Sequence, residues 1–141
     1  MLLDCMIIGD SIAVGTQMFW KECVLYGKGG INSWQWNQSW KVLTENADRA
    51  VISLGTNDHI GVNTKSELIK ARNKIVARRV YWILPFGNNP ASKVTVEQIQ
   101  KIVREVAAIY GDTVIEITSV QPDKIHPSWE GYRRIVEHAK R

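Results

Sequence analysis

Short apolar runs alternate with longer stretches of helical period along this chain. Cys5–Ile8, Cys23–Tyr26, Ala50–Leu54, Val80–Leu84 and Thr113–Ile117 are the runs, and each predicts a strand. Between and after them, Ile12–Lys21, Ser33–Asn46, Thr64–Arg78, Val96–Tyr110 and Ser128–Lys140 carry the helical pattern. Ile99, Ile102, Val103, Val106 and Tyr110 share one face of the fourth predicted helix. Trp129, Tyr132, Ile135, Val136 and Ala139 do so in the last, whose first turn suits Pro127 and its fixed φ.

Strands alternating with helices argue for a parallel sheet covered on both faces. Right-handed crossovers then predict a three-layer α/β/α sandwich around a five-stranded parallel sheet, flavodoxin-like in strand order. With 141 residues and no repeat, linker or low-complexity tract, residues 1–141 are expected to form one domain. In such sheets ligands bind outside the carboxyl ends of the strands, so the loops that follow strands share one functional edge.

Composition narrows the classes without naming one. No apolar run nears the ~20 residues that cross a bilayer, so no membrane partner is expected. The start, MLLDCMII, lacks a basic n-region and carries Asp4, so it reads as a strand rather than a secretory signal. Cytoplasm is the default expectation. Cys5 and Cys23 have no metal-ligand spacing and read as free, buried core residues. The formal charge of +4 comes largely from clusters such as Lys65–Arg79 and Arg133–Arg141, which read as solvated helix faces. No nucleic-acid module accompanies them, and no nucleic-acid partner is expected.

The loops on the predicted functional edge hold a particular set of polar residues. Gly9-Asp10-Ser11 follows the first strand, and a loop with Gly27, Gly29 and Gly30 follows the second. Gly55-Thr56-Asn57-Asp58-His59 follows the third, and Asp123-Lys124-Ile125-His126 lies beyond the fifth. A serine hydroxyl is a poor nucleophile near neutrality and needs a base to take its proton. His126 can serve, with Asp123 three residues earlier able to reach Nδ1 and leave Nε2 facing Ser11. The oxyanion formed on attack needs donors aimed at it beforehand. Candidates are the Ser11 N–H, a glycine N–H of the second loop and the Asn57 side-chain amide.

GDS, the glycine loop, GTND and DKIHP, in that order over nearly the whole chain, resemble the SGNH hydrolases, the GDSL family of lipases and esterases. Each block alone is weak; together, at this spacing, they are specific. The resemblance implies Ser11 as nucleophile, His126 as base and Asp123 as the residue that orients it. It implies Ser11, Gly30 and Asn57 as oxyanion donors, with Gly29 a possible substitute for its neighbour. It further implies ester hydrolysis through an acyl-enzyme, with no metal and no organic cofactor. Two departures stand out: Ile12 replaces the usual leucine after the serine, and the glycine loop has adjacent Gly29 and Gly30.

Blander roles compete at several positions. Ser11 suits a helix N-cap, Asn57 suits a turn, and Asp10 and Asp58 read as loop hydrogen-bonders. His138, in the last helical turn, reads as surface. His59 shares the functional edge, but its neighbour Asp58 should point away from it, so His59 reads as lining the substrate cleft. Gly131, inside the last helix, implies close backbone packing. On the second helix Trp36 and Trp40 share a face while Trp34 points elsewhere, and an exposed ring there would suit a sugar.

The expectation is a serine ester hydrolase with an open cleft, acting on a small-molecule or polysaccharide ester such as an O-acetyl glycan. Two alternatives are an acyltransferase with the same site and a non-catalytic flavodoxin-like binding module. Against the module, no GxGxxG or GxxxxGK[ST] follows a strand.

Overall fold

A computed structural model describes residues 2–141. Strands β1 (Leu2–Gly9), β2 (Val24–Gly27), β3 (Asn46–Ser53), β4 (Val76–Leu84) and β5 (Thr113–Glu116) form one parallel sheet ordered β2-β1-β3-β4-β5. The helices are α1 (Ser11–Met18), α2 (Ser33–Ser39), α3 (Thr64–Asn73), α4 (Val96–Tyr110) and α5 (Trp129–Lys140). This is the flavodoxin-like three-layer sandwich that the pattern predicts. Among the described residues no helix is long and apolar enough to cross a membrane.

The period-two alternation of the strands splits the core cleanly. Cys5, Ile7, Val51, Tyr81 and Ile83 turn toward Ile12 and Ala13 of α1 and Tyr132, Ile135 and Val136 of α5. Met6, Ile8, Ala50, Ile52, Val80, Trp82 and Leu84 turn toward Trp36, Leu68, Ile99 and Val103 on α2, α3 and α4. Strands buried on both faces are what continuous apolar runs in a parallel sheet mean.

Several boundaries differ from the periodicity reading, most of them where a strand begins. Residues 40–46 were expected to continue the second helix, but α2 stops at Ser39 and β3 starts at Asn46. Residues 74–78 were likewise expected in the third helix, yet Val76 already pairs with Asn46. The amino halves of these strands extend past the covering helices, so they carry polar residues such as Asp48, Arg78 and Arg79 and look unlike core strands. At its own start, α5 takes Ser128 as N-cap, which puts Pro127 just outside the helix. Trp129, expected in the core, is instead 75% exposed at the start of α5.

The cysteines are buried as expected but not free: Cys5 and Cys23 form a disulfide. Register is the reason. Met6 pairs with Val24, so Cys5 and Cys23 stand opposite each other one step earlier, with Cα atoms 4.8 Å apart. His138 is half-buried rather than fully on the surface, its ring meeting Tyr81 edge-on. Gly131 does mark a close approach, since a Cβ there would lie 2.2 Å from the Ser119 carbonyl oxygen. That contact seats the loop after β5 on α5.

Candidate active site

The carboxyl ends of the strands bring Ser11, Gly29, Gly30, Asn57, Asp123 and His126 to one edge, beginning with the turn out of β1. Gly9 has φ +136°, and a Cβ there would lie 1.8 Å from the Ser53 carbonyl oxygen, so only glycine lets β1 end this close to β3. Asp10, not Ser11, is the N-cap of α1. Its Oδ1 accepts from Ile12 N–H at 3.0 Å and from Ser53 Oγ–H at 2.9 Å. Its Oδ2 is buried without a partner. Burial, outweighing those hydrogen bonds, pushes the Asp10 carboxyl up to about 6. Ser11 is therefore the first residue inside the helix, where its N–H has no intrahelical acceptor and stays available to a ligand.

A self-contained turn holds His126. Gln121 N–H donates to the His126 carbonyl at 2.8 Å, and Lys124 N–H to the Gln121 carbonyl at 2.9 Å. Inside it, Asp123 Oδ1 accepts from Ile125 N–H at 2.9 Å and His126 N–H at 3.0 Å. Asp123 Oδ2 is left to accept from His126 Nδ1 at 2.6 Å. The Ile125 amide first, then the His126 ring and amide, pull the Asp123 carboxyl down to about 2. An ionised carboxylate only accepts, so the proton sits on Nδ1 and Nε2 offers its lone pair. Ser11 Oγ–H donates to that Nε2 at 2.8 Å.

Two glycines bring this turn close to its neighbours. Gly131 fixes its far side, as above, and at Gly87, after β4, a Cβ would lie 2.0 Å from the Lys124 carbonyl oxygen.

The glycine loop is also a tight turn. Lys28 N–H donates to the Gly9 carbonyl at 3.0 Å, and Ile31 N–H closes on the Lys28 carbonyl at 3.4 Å. Gly30, at its third position, has φ +79°, a conformation suited to glycine. Gly29 lies against the serine, where an added Cβ would be 3.9 Å from Ser11 Cβ. Asn57 faces the same loop, its Nδ2 donating to the Ile31 carbonyl at 3.0 Å. Behind it, Asp58 is buried and accepts from both the amide and the hydroxyl of Ser33, fixing the start of α2. Asp10 and Asp58 thus have the hydrogen-bonding roles expected of them.

His59 is exposed and points away from Asp58, its Nδ1 accepting from Gly61 N–H at 3.2 Å. With Asn32, Trp34 and Asn63 it lines a shallow cavity of about 420 Å³. Trp34 is 52% exposed there, while Trp36 is fully buried and stacks on Trp40. One residue of this edge lay in a loop expected there but was assigned no role from the sequence. Asn89, in the loop after β4, donates from Nδ2 to Asn57 Oδ1 at 3.2 Å. Its only signal was a turn-like run, Gly87-Asn88-Asn89-Pro90, with nothing to mark one asparagine from the next.

The model of a family described as GDSL-like lipase/acylhydrolase matches residues 7–134. A member of the lipolytic G-D-S-L family from Veillonella parvula superposes with a TM-score of 0.65 at 17% identity, covering 97% of this chain and 96% of that one. An acetylxylan esterase from Geobacillus stearothermophilus does so with 0.65 at 15% identity, over 97% and 94% of the two chains. A GDSL-like lipase from Bacteroides thetaiotaomicron gives 0.65 at 20% identity, over 98% and 85%. At such identities the likeness speaks for the fold. The comparison with curated proteins found no match.

Proposed function

The chain belongs to the GDSL-like lipase/acylhydrolase family, and on that premise we propose that it hydrolyses carboxylic esters through an acyl-serine intermediate. The observation that supports this reading is the unbroken path from Ser11 Oγ through the His126 ring to Asp123, with steps of 2.8 and 2.6 Å. His126 Nε2 takes the hydroxyl proton as Oγ attacks the ester carbonyl. The negative charge on the carbonyl oxygen is received by the N–H groups of Ser11 and Gly30 and by Asn57 Nδ2. Collapse of the intermediate expels the alkoxide, which takes the proton from His126, and the acyl group stays on Ser11. Water then attacks with His126 again as base, and the carboxylic acid leaves.

Exposure of the site favours a small acyl group on a large, polar alcohol. The His126 and Asp123 side chains are 34% and 43% exposed, which suits a substrate that stays largely outside the protein. Trp34 and His59, which line one cavity with Asn32 just past the glycine loop, suit a sugar ring stacked on the indole with hydroxyls against the imidazole. We therefore read an O-acetylated carbohydrate as the substrate class. An acetylxylan esterase among the fold neighbours is consistent with that choice.

Labelling by a fluorophosphonate and turnover of p-nitrophenyl acetate test the reaction. Both should be present in the protein and absent in Ser11→Ala; a folded protein inert in both assays would leave a binding module. Acetylated oligosaccharides, with and without an added acceptor alcohol, test the substrate and separate hydrolysis from acyl transfer. Trp34→Ala should raise KM for the glycan and leave p-nitrophenyl acetate unaffected.

A further inference from the structure

We infer that Asn89 is a positioning residue that sets which end of the Asn57 amide faces the reaction. The inference rests on the reading of Asn57 as an oxyanion donor. A side-chain amide has an oxygen and a nitrogen of nearly the same size, related by a half-turn about χ2, with opposite hydrogen-bonding character. Only one of the two orientations offers a donor to an oxyanion. Something fixed must select it.

Two partners do so. The Ile31 carbonyl can only accept, and Asn57 Nδ2 lies 3.0 Å from it. On the other side Asn57 Oδ1 accepts from Asn89 Nδ2 at 3.2 Å. Asn89 is itself oriented by backbone, since its Oδ1 accepts from Ala91 N–H at 3.1 Å and its Nδ2 also donates to the Thr56 carbonyl at 3.4 Å. The local chain keeps its own ties, with the Asn89 carbonyl accepting from Ser92 N–H at 3.1 Å and Ser92 Oγ–H at 2.9 Å. Orientation thus passes from rigid backbone to Asn89, from Asn89 to Asn57, and leaves the second N–H of Asn57 Nδ2 for the substrate. In the flipped state Asn57 Oδ1 would oppose the Ile31 carbonyl and present a lone pair to the developing anion.

Asn89→Asp is the sharp test. The introduced carboxylate can still accept from Ala91 N–H, but its other oxygen now confronts Asn57 Oδ1 and the Thr56 carbonyl. Asn57 is driven to turn its nitrogen toward that carboxylate and away from the substrate. Loss of one oxyanion donor lowers kcat by about 10²–10³, so Asn89→Asp should lower kcat about 10- to 100-fold with KM little changed. Asn89→Ala, which removes the preference without reversing it, should lose several-fold. Adding either change to Asn57→Ala should cost nothing more, because the group being oriented is gone. A general disturbance of the loop would instead lower activity equally in both backgrounds. p-Nitrophenyl acetate kinetics, with thermal melting to check each fold, reads all of this. Additive losses, or full kcat in folded Asn89→Asp and Asn89→Ala while Asn57→Ala is slow, would overturn the inference. Full kcat in Asn57→Ala would instead remove the oxyanion reading beneath it, and the inference with it.

Discussion

The junction that carries Ser11 and the turn that carries His126 meet at one hydrogen bond, yet different forces hold each in place. On the serine side Met6, Ile7, Ile8, Asp10, Ile12 and Ala13 are essentially inaccessible, and the Cys5–Cys23 disulfide ties the middle of β1 to the residue before β2 across α1. Gly15 packs so tightly that a Cβ would lie 2.3 Å from the Tyr132 ring. On the histidine side, residues 121–124 are exposed, and backbone amides donating to Asp123 do the holding. Packing positions Ser11, whereas local hydrogen bonding positions His126. Changes in the first region should be felt in stability, and changes in the second in turnover.

Asp123→Asn should give the largest effect and the cleanest separation. The Asn oxygen can still accept from the Ile125 and His126 amides, so the turn should persist and melting should shift little. Its NH2 now faces His126 Nδ1 and favours the tautomer with the proton on Nε2, which cannot accept from Ser11. Turnover should fall by about 10⁴-fold, which is what a wrong tautomer costs a triad. A large drop in melting temperature with the loss would mean the turn is part of the core after all.

Gly9→Ala probes the opposite side. The new Cβ meets the Ser53 carbonyl at 1.8 Å in a backbone conformation with φ +136° that L-residues avoid. Such a clash with backbone cannot relax by a rotamer change, so destabilisation of about 4 kcal/mol or more is expected from denaturant unfolding. Near-normal stability would show that the β1–α1 junction is softer than its packing suggests.

The same division explains what could be read from the chain alone. Apolar runs and helical periods reflect burial, so the sheet, its order and the five helices followed from them. The Asp123–His126 turn was legible because three residues is a local distance, and Asp58 and His59 diverge as sequence neighbours should. Features that depend on register between distant segments were not legible. Cys5 and Cys23 pair only because β1 and β2 align at Met6 and Val24, which no spacing announces. The starts of β3 and β4 extend past their helices and lose the apolar signature. Trp129 kept the helical period while its side chain stays exposed. Asn89 acts through Asn57, 32 positions earlier in the chain, and carries no motif of its own.

The disulfide lets the comparison be sharpened by chemistry rather than substitution. Closing a loop of this size is worth about 3 kcal/mol in the chain-entropy account. Cys23→Ser, or reduction under conditions that open the core, should lower unfolding free energy by about that much. Below the new transition Ser11 should still label with a fluorophosphonate at close to the normal rate, because the Ser11–His126 geometry does not pass through the sulfurs. Such bonds persist in oxidising compartments. Both thiols reacting with a reagent in the native, unreduced protein would show that the bond is not formed.

The smallest effect contrasts the two carboxylates that flank the reaction. Asp10 rises from 3.8 to about 6 on folding, so the folded state holds a proton that the unfolded state releases. Its penalty is absent below pH 4, grows between pH 4 and 6, and is complete above that, at about 3 kcal/mol. Asp123 is shifted the other way, to about 2, so its contribution favours the fold above pH 4 and is lost as pH falls toward 2. Solvent exposure keeps that second contribution small. Asp10→Asn retains an oxygen for Ile12 N–H and Ser53 Oγ–H and removes the buried charge, while burying an NH2 with no acceptor assured. The variant should be more stable than the parent at pH 8 by about 2 kcal/mol and equal or weaker at pH 4, read by denaturant titration at both. A parent whose stability rises between pH 4 and 6, with the variant parallel to it, would mean that Asp10 is ionised throughout that range at no cost.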